Sequence, residues 1–288
     1  MEPRPAPLSH GTTFARRLLL ALLAAWTLAL PARAAFNEGE GIDAFRPDAD
    51  GSGAGDPFDH GPWQTFLDRY LVTDDASGIH LVRYDAVTAA DRAALYAWID
   101  DLTGRDPRDA SRDAQMAYWI NLYNALTVQV ILEAPGVDSI RDISSGLFSS
   151  GPWGRVVARV GGADLSLDDI EHRILRPHYR DARIHFAVNC ASMGCPNLAA
   201  EAYTAENLER LLDDGARAYV NHPRGVTVAD GRMTVSSIFD WYRDDFPEGR
   251  AGLLGWLAGY AEAPLAERIR AHDGRIRDDY DWNLNAAR

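Results

Sequence analysis

Apolar positions recur at helical spacing along much of the chain. Trp63, Phe66, Leu67 and Tyr70 share one face of a short helix, and Leu95, Trp98, Ile99 and Leu102 share one over 90–102. The strongest pattern is SRDAQMAYWINLYNALTVQVILE, residues 111–133. There Met116, Trp119, Ile120, Tyr123, Thr127, Val130 and Ile131 form a wide apolar face, and Leu122 and Leu126 widen it until little is left for water. Ser111 suits the N-cap with Asp113 in the first turn, and Pro135-Gly136 closes the helix. Further helices are expected over 205–218, 238–246 and 252–261. Strands are expected at 81–84, at 156–160 and at 184–188, where Ile184, Phe186 and Val188 alternate with His185, Ala187 and Asn189. Gly161-Gly162 and Asp230-Gly231 mark hairpin turns, the second between 226–228 and 232–235. Residues 139–154 read as a long turn-rich passage and 275–285 as a polar closing segment. The sum is an α+β fold: one helix-rich domain over 58–288 with a small, mainly antiparallel sheet and no internal repeat.

Two polar interruptions stand out against this pattern. Asn121 and Asn124 sit one turn apart in the apolar 111–133 helix, and a buried amide costs free energy unless it is hydrogen-bonded. They either tie neighbouring loops or, for Asn124, border a site. Ser166-x-x-Asp169 is a capping box that opens a helix with Leu167, Ile170, Ile174 and Leu175 on its inner face. Glu171 falls inside that face and His172 beside it, so Glu171 needs either an arginine partner or an acid–base role.

The ends and the composition narrow the function. Arg16-Arg17, the apolar run 18–30 and the A-x-A-like site near Ala34 read as an export signal over 1–34, cut after about Ala34. The run is too short for a comfortable membrane span, so no integral segment is expected once it is removed. Residues 35–57, rich in Gly and Asp, read as a flexible linker. The expected location is the periplasm or beyond. The net charge of −13 argues against nucleic acid as a partner. All 29 basic residues are Arg, which removes every lysine-dependent chemistry, from Schiff bases to phosphate-binding loops. No cofactor and no metal is expected, since two cysteines alone do not build a cysteine-rich zinc site and no standard zinc spacing occurs.

The chemistry concentrates in RIHFAVNCASMGCPN, residues 183–197, which holds both cysteines, Cys190 and Cys195, and His185. A thiol hydrolase or transferase needs a thiolate, a base in reach and a group that orients the base. The candidates are Cys190, His185 or His172, and Glu171 or an Asn. Five residues separate His185 from Cys190, so a regular strand would point them to opposite faces. A bend near Asn189, or His172 as base, would then be required, with Glu171 free to pair with His185. Asn189, Ser192 and the backbone N–H groups of the 191–194 turn are candidate oxyanion donors. Against this stands C-x4-C spacing in an exported chain, which fits a Cys190–Cys195 disulfide, structural or redox-active.

Five stretches occur together and in order: YWINLYNAL (118–126), SLDDIEHRILRP (166–177), RIHFAVNCASMGCP (183–196), SSIFDWYRDDF (236–246) and YDWNLN (280–285). In these the chain, from roughly residue 60 onward, resembles the family of domain of unknown function 547. The resemblance implies a mixed α/β domain with an analogy to papain-type or transglutaminase-type enzymes. It also implies that Cys190 is the more regular cysteine, since some members carry Ser at the position of Cys195. Fusions of some members to glutaredoxin-like domains hint at thiol chemistry. Two functions are therefore expected in competition. One is a cysteine-dependent enzyme acting on an amide or thioester-like bond of a small molecule or peptide, through Cys190, His185, Glu171 and His172. The other is a binding module with a structural disulfide, its cleft lined by Asn124, Glu171, His185, Trp119 and Trp153.

Overall fold

The computed structural model describes residues 40–47, 53, 55–143 and 151–287. The expected export signal lies outside them, as do parts of the expected linker and residues 144–150 of the turn-rich passage. The fold is built around α4, Arg112–Glu133, whose N-cap Ser111 accepts from the Ala114 amide as its sequence suggests. From Ala114 to Val128 every residue of α4 is buried. A helix wet on no side must be packed on all of them. Its neighbours include α1 (Glu40–Asp43), α2 (Gly61–Tyr70) and α3 (Ala89–Thr103), whose apolar residues share one core with those of α4. Ile42 and Phe45 belong to that core, and Phe45 packs edge-on to Trp119. Part of the stretch expected to be a linker is thus an anchor, because two apolar residues suffice to seat it.

Among the described residues the strands are short and fall into three separate sheets. β1 (Leu71–Val72) pairs antiparallel with β2 (Leu81–Val82), and β3 (Val156–Val160) with β4 (Ala163–Ser166). The third sheet joins β5 (Val226–Ala229) antiparallel to β6 (Arg232–Ser236), and β6 parallel to β7 (Ile276–Asp279). Both expected hairpins form. Gly161, Gly162, Asp230 and Gly231 all take positive φ, the geometry of the tight turns that match strand twist. The closing segment expected to be merely polar supplies β7, in which no residue is buried, so hydrophobic pattern gave no sign of it.

A second core gathers the C-terminal elements: α6 (Leu208–Asn221), β5, β6, α7 (Ile238–Trp241), α8 (Gly249–Tyr260) and α9 (Ala263–Ala271). The helix expected over 238–246 breaks after Trp241 into a 3-10 turn over Arg243–Asp245.

The stretch expected as a strand at 184–188 is instead a 3-10 helix, Ala182–Phe186, running into irregular backbone. With about three residues per turn, successive side chains leave in three directions. Ile184 enters the first core, Phe186 enters the second, and His185 is left at the seam between them. Apolar–polar alternation therefore did not mean alternation of burial, because Ile184, His185 and Phe186 are all buried. α6 lies tightly against this turn: a Cβ on Gly215 would stand 2.8 Å from the Phe186 carbonyl oxygen.

Candidate functional site

The helix opened by Ser166 closes its capping box, with the Asp169 carboxylate accepting from the Ser166 amide at 2.9 Å and Ser166 Oγ from the Asp169 amide at 3.1 Å. Over Asp169–Leu175 it widens into a π-helix before returning to α5, Arg176–Tyr179. π-turns are rare and occur mostly at functional sites. Glu171 and His172, adjacent on this wide turn, both line one cavity.

Glu171 is buried and answers the question its sequence position raised. Its Oε2 accepts from the Tyr123 hydroxyl at 3.1 Å, and Tyr242 lines the same cavity. Its Oε1 lies 3.8 Å from His185 Nδ1 and 3.9 Å from His172 Nδ1. Among the described residues no arginine pairs with it. Burial pushes the Tyr123 and Tyr242 phenols far up, with the Glu171 charge adding to the shift, so Tyr123 serves as a neutral donor.

His185 has only 1 % of its side chain exposed. Its Nε2 meets Asp245 Oδ2 at 2.7 Å, and Tyr242 stacks on the imidazole at 4.0 Å and 12°. Arg176 Nε donates to the same Asp245 oxygen at 2.5 Å while its guanidinium lies over the Tyr242 ring, 4.8 Å from the centroid. Burial alone would raise the Asp245 carboxyl, but the hydrogen bonds from His185 and Arg176 outweigh it and hold it at about 2. An ionised Asp245 only accepts, so His185 Nε2 carries the proton of that bond. In the neutral ring Nδ1 is then the lone-pair nitrogen, and it is buried without a hydrogen-bond partner. His172 Nδ1 is bonded by Arg176 Nη1 at 3.2 Å, and its Nε2 stands 3.6 Å from Asp168.

The cavity has a volume of about 270 Å³. Besides Glu171, His172 and His185 it is walled by Trp153, Trp241, Trp282 and Tyr280, and by both cysteines. The Trp241, Tyr280 and Trp282 rings lie within 5.6 Å of one another, centroid to centroid, and Trp241 is 46 % exposed at the rim. Cys190 and Cys195 are paired at disulfide distance, with Cα atoms 6.2 Å apart. The Tyr280 hydroxyl stands 3.2 Å from each sulfur, and Ser192 Oγ is 3.3 Å from that of Cys190. Cys190 is half-buried and Cys195 buried.

Of the residues expected to act, Cys190, Cys195, His185, Glu171 and His172 meet in this one cavity. The bend that this requires exists: the chain leaves the 3-10 turn as irregular backbone, and Ala191 takes a left-handed φ of 59°. The amides do other work. Asn121 bonds both backbone groups of Tyr203, and Asn124 donates to the Ala187 carbonyl while accepting from the Asn189 amide. Asn189 closes the cysteine loop, accepting from the Ala191 amide and donating to the Pro196 carbonyl. The expected oxyanion donors are largely occupied, since the amides of Ala191, Met193 and Gly194 bond to Asn189, Asn283 and Asp281. Trp119 is enclosed in the core and does not line the cavity. The residues that sequence reasoning passed over are Asp245, Arg176, Tyr242 and Tyr280. Only the acidic and aromatic density of IFDWYRDDF hinted at the first and third.

Fold and site together define an α+β protein with an aromatic cavity, an Asp–His pair and a cysteine pair in its walls. Residues 107–220 match the family model described as protein of unknown function, DUF547, the family its motifs resemble. The matched segment holds α4, the π-helix and the cysteine loop, while the motifs at 236–246 and 280–285 lie beyond it. No curated protein and no solved structure matches the chain, so the papain-type and transglutaminase-type analogy has no support. Among the described residues no helix is long and apolar enough to cross a membrane.

Proposed function

We propose that the cavity is the active site of a thiol-dependent hydrolase or transferase, with Cys190 as nucleophile, His185 as base and Asp245 as the group that orients the base. The observation that carries this reading is the asymmetric environment of His185. One ring nitrogen is held by Asp245, and the other is without a partner in a cavity whose wall Cys190 forms. That is the division of labour an imidazole base requires. The reaction starts once a thiol reductant has opened the Cys190–Cys195 bond. The Cys190 proton passes to His185 Nδ1, and the sulfur attacks the acyl carbon of an amide or thioester. The leaving amine or thiol takes the proton back, and water or a second acceptor then releases the acyl group. Tyr280, a hydroxyl beside both sulfurs, positions the thiol. In an oxidising compartment such as the periplasm, the location expected from the sequence, the oxidised form would be the resting state.

A second reading is favoured by the cysteine pairing itself: a binding module whose disulfide is structural. Iodoacetamide labelling with peptide mass mapping separates the two. The enzyme reading expects Cys190 to be labelled rapidly near neutral pH after mild reduction, and labelling to slow in His185→Ala. A disulfide that survives mild reductant, leaving Cys190 unlabelled, would sink it.

A further inference from the structure

The cavity brings together two acceptors that no donor among the described residues serves. His185 Nδ1 and Glu171 Oε1 face each other at 3.8 Å, outside hydrogen-bond range, and Nδ1 is buried and unpartnered. A lone pair set against a carboxylate is unfavourable until a donor bonds both. The surroundings state the charge that donor should carry. The carboxyl groups of Glu171 and Asp168 line the cavity and that of Asp245 lies behind His185, while the neighbouring guanidinium of Arg176 has its Nε committed to Asp245. His185 turns its Nε2 proton to Asp245, and His172 Nδ1 accepts from Arg176. Most of the remaining wall is aromatic, from Tyr123, Tyr242, Tyr280, Trp153, Trp241 and Trp282, with the cysteine pair and a few aliphatic residues between them. Aromatic walls closing on a carboxylate are a setting that attracts organic cations.

We infer that this cavity binds a primary ammonium group carried on an apolar or aromatic body, the ammonium donating to Glu171 and His185 and the body packing on the Trp241–Tyr280–Trp282 rings. One nitrogen about 2.9 Å from both acceptors satisfies them together, which a neutral hydroxyl with a single proton cannot do. A volume of about 270 Å³ suits a small amine rather than a long peptide. The inference rests on the cavity being a ligand site. It does not depend on Cys190 reacting, and in the proposed reaction it marks the amine as the acyl acceptor or the leaving group.

Calorimetric titration of the oxidised full chain with phenethylammonium tests it, because thiol chemistry is silent in that form. Phenethyl alcohol and the N,N,N-trimethyl derivative serve as probes lacking the charge and the donors respectively. The primary amine should bind about tenfold or more tightly than either. Glu171→Gln, which keeps the shape and an acceptor for Tyr123, should remove that advantage while leaving the alcohol within about twofold. Equal binding of amine and alcohol by the wild-type chain overturns the inference, whether or not Glu171→Gln folds. Equal binding of the trimethyl derivative overturns the donor arrangement. Labelling of Cys190 after reduction stands or fails separately from all of these outcomes.

Discussion

Asp245 and His185 are sixty residues apart in the chain and 2.7 Å apart at the base of the cavity. The pair joins the two cores. His185 leaves a 3-10 turn whose neighbours are buried on either side, and Asp245 ends the 3-10 turn that follows α7. Replacing Asp245 by Ala would leave a buried imidazole and the Arg176 guanidinium without their shared acceptor. The expected cost is about 2–3 kcal/mol, read from urea unfolding. Asp245→Asn should cost less, yet slow alkylation of reduced Cys190 comparably, because the amide no longer fixes which nitrogen carries the proton.

The same pair sets an acid limit. Asp245 is held at about 2, against about 3.9 in an unfolded chain. A carboxyl depressed in the folded state contributes stability above its unfolded value and loses it as pH falls towards the folded one. The window is therefore pH 4 down to 2. With 26 % of the side chain exposed, screening leaves a contribution of about 1 kcal/mol. Acid titration of stability should fall less steeply across that window in Asp245→Asn than in the wild type, and parallel curves would count against the ionised pair.

Much of this architecture is written in local pattern, and the part that is not has a physical reason. α2, α3, α4, β3 and both hairpins follow from spacing and turn residues, since each is dictated by its own segment. The capping box of Ser166 is local too, but the π-widening behind it is not, because periodicity cannot say when a helix adds a residue to one turn. The 184–188 stretch misled because alternation presupposes two faces of unlike environment, and here a core lies on each side. Glu171, His185 and Cys190 could be singled out as polar or reactive groups in apolar surroundings. Asp245, Arg176 and Tyr280 could not, since their meaning comes only from partners far off in the chain.

Asn124 makes a further test, because it ties α4 to the backbone that carries the reactive loop. Its amide serves the Ala187 carbonyl at 2.9 Å and the Asn189 amide at 2.8 Å. Asn124→Ala strands both buried groups, a loss of about 2–4 kcal/mol. Asn121→Ala strands the two groups of Tyr203 at similar cost. Only the former should alter the alkylation rate of reduced Cys190, so the two variants separate stability from site geometry.

Gly194 controls the approach of Tyr280 to the sulfurs. A Cβ there would stand 2.9 Å from the Asp281 amide nitrogen, from its carbonyl oxygen and from a Tyr280 ring carbon. Gly194→Ala should cost about 1–3 kcal/mol and push the 280–281 segment outward. Burial raises the Tyr280 phenol far above its ordinary value. Spectrophotometric titration should therefore find one tyrosine ionising at lower pH in the variant than in the wild type.

The Cys190–Cys195 bond closes a very short loop, and its removal should be mild. Loop-entropy reasoning for so few residues gives about 2 kcal/mol. The loop also has other supports that reduction leaves in place. Asn189 bonds Ala191 and Pro196, and the Met193 and Gly194 amides bond the 281–283 backbone. Dithiothreitol should thus lower the urea midpoint of the wild type by an amount equivalent to about 2 kcal/mol without unfolding it. A Cys190→Ser, Cys195→Ser double variant should show the same loss and no response to the reductant. In the reduced wild type, half-buried Cys190 should react with iodoacetamide before buried Cys195. Collapse of the fold on reduction would instead assign the pair a purely structural task, since a thiol exposed only by unfolding cannot serve the folded cavity.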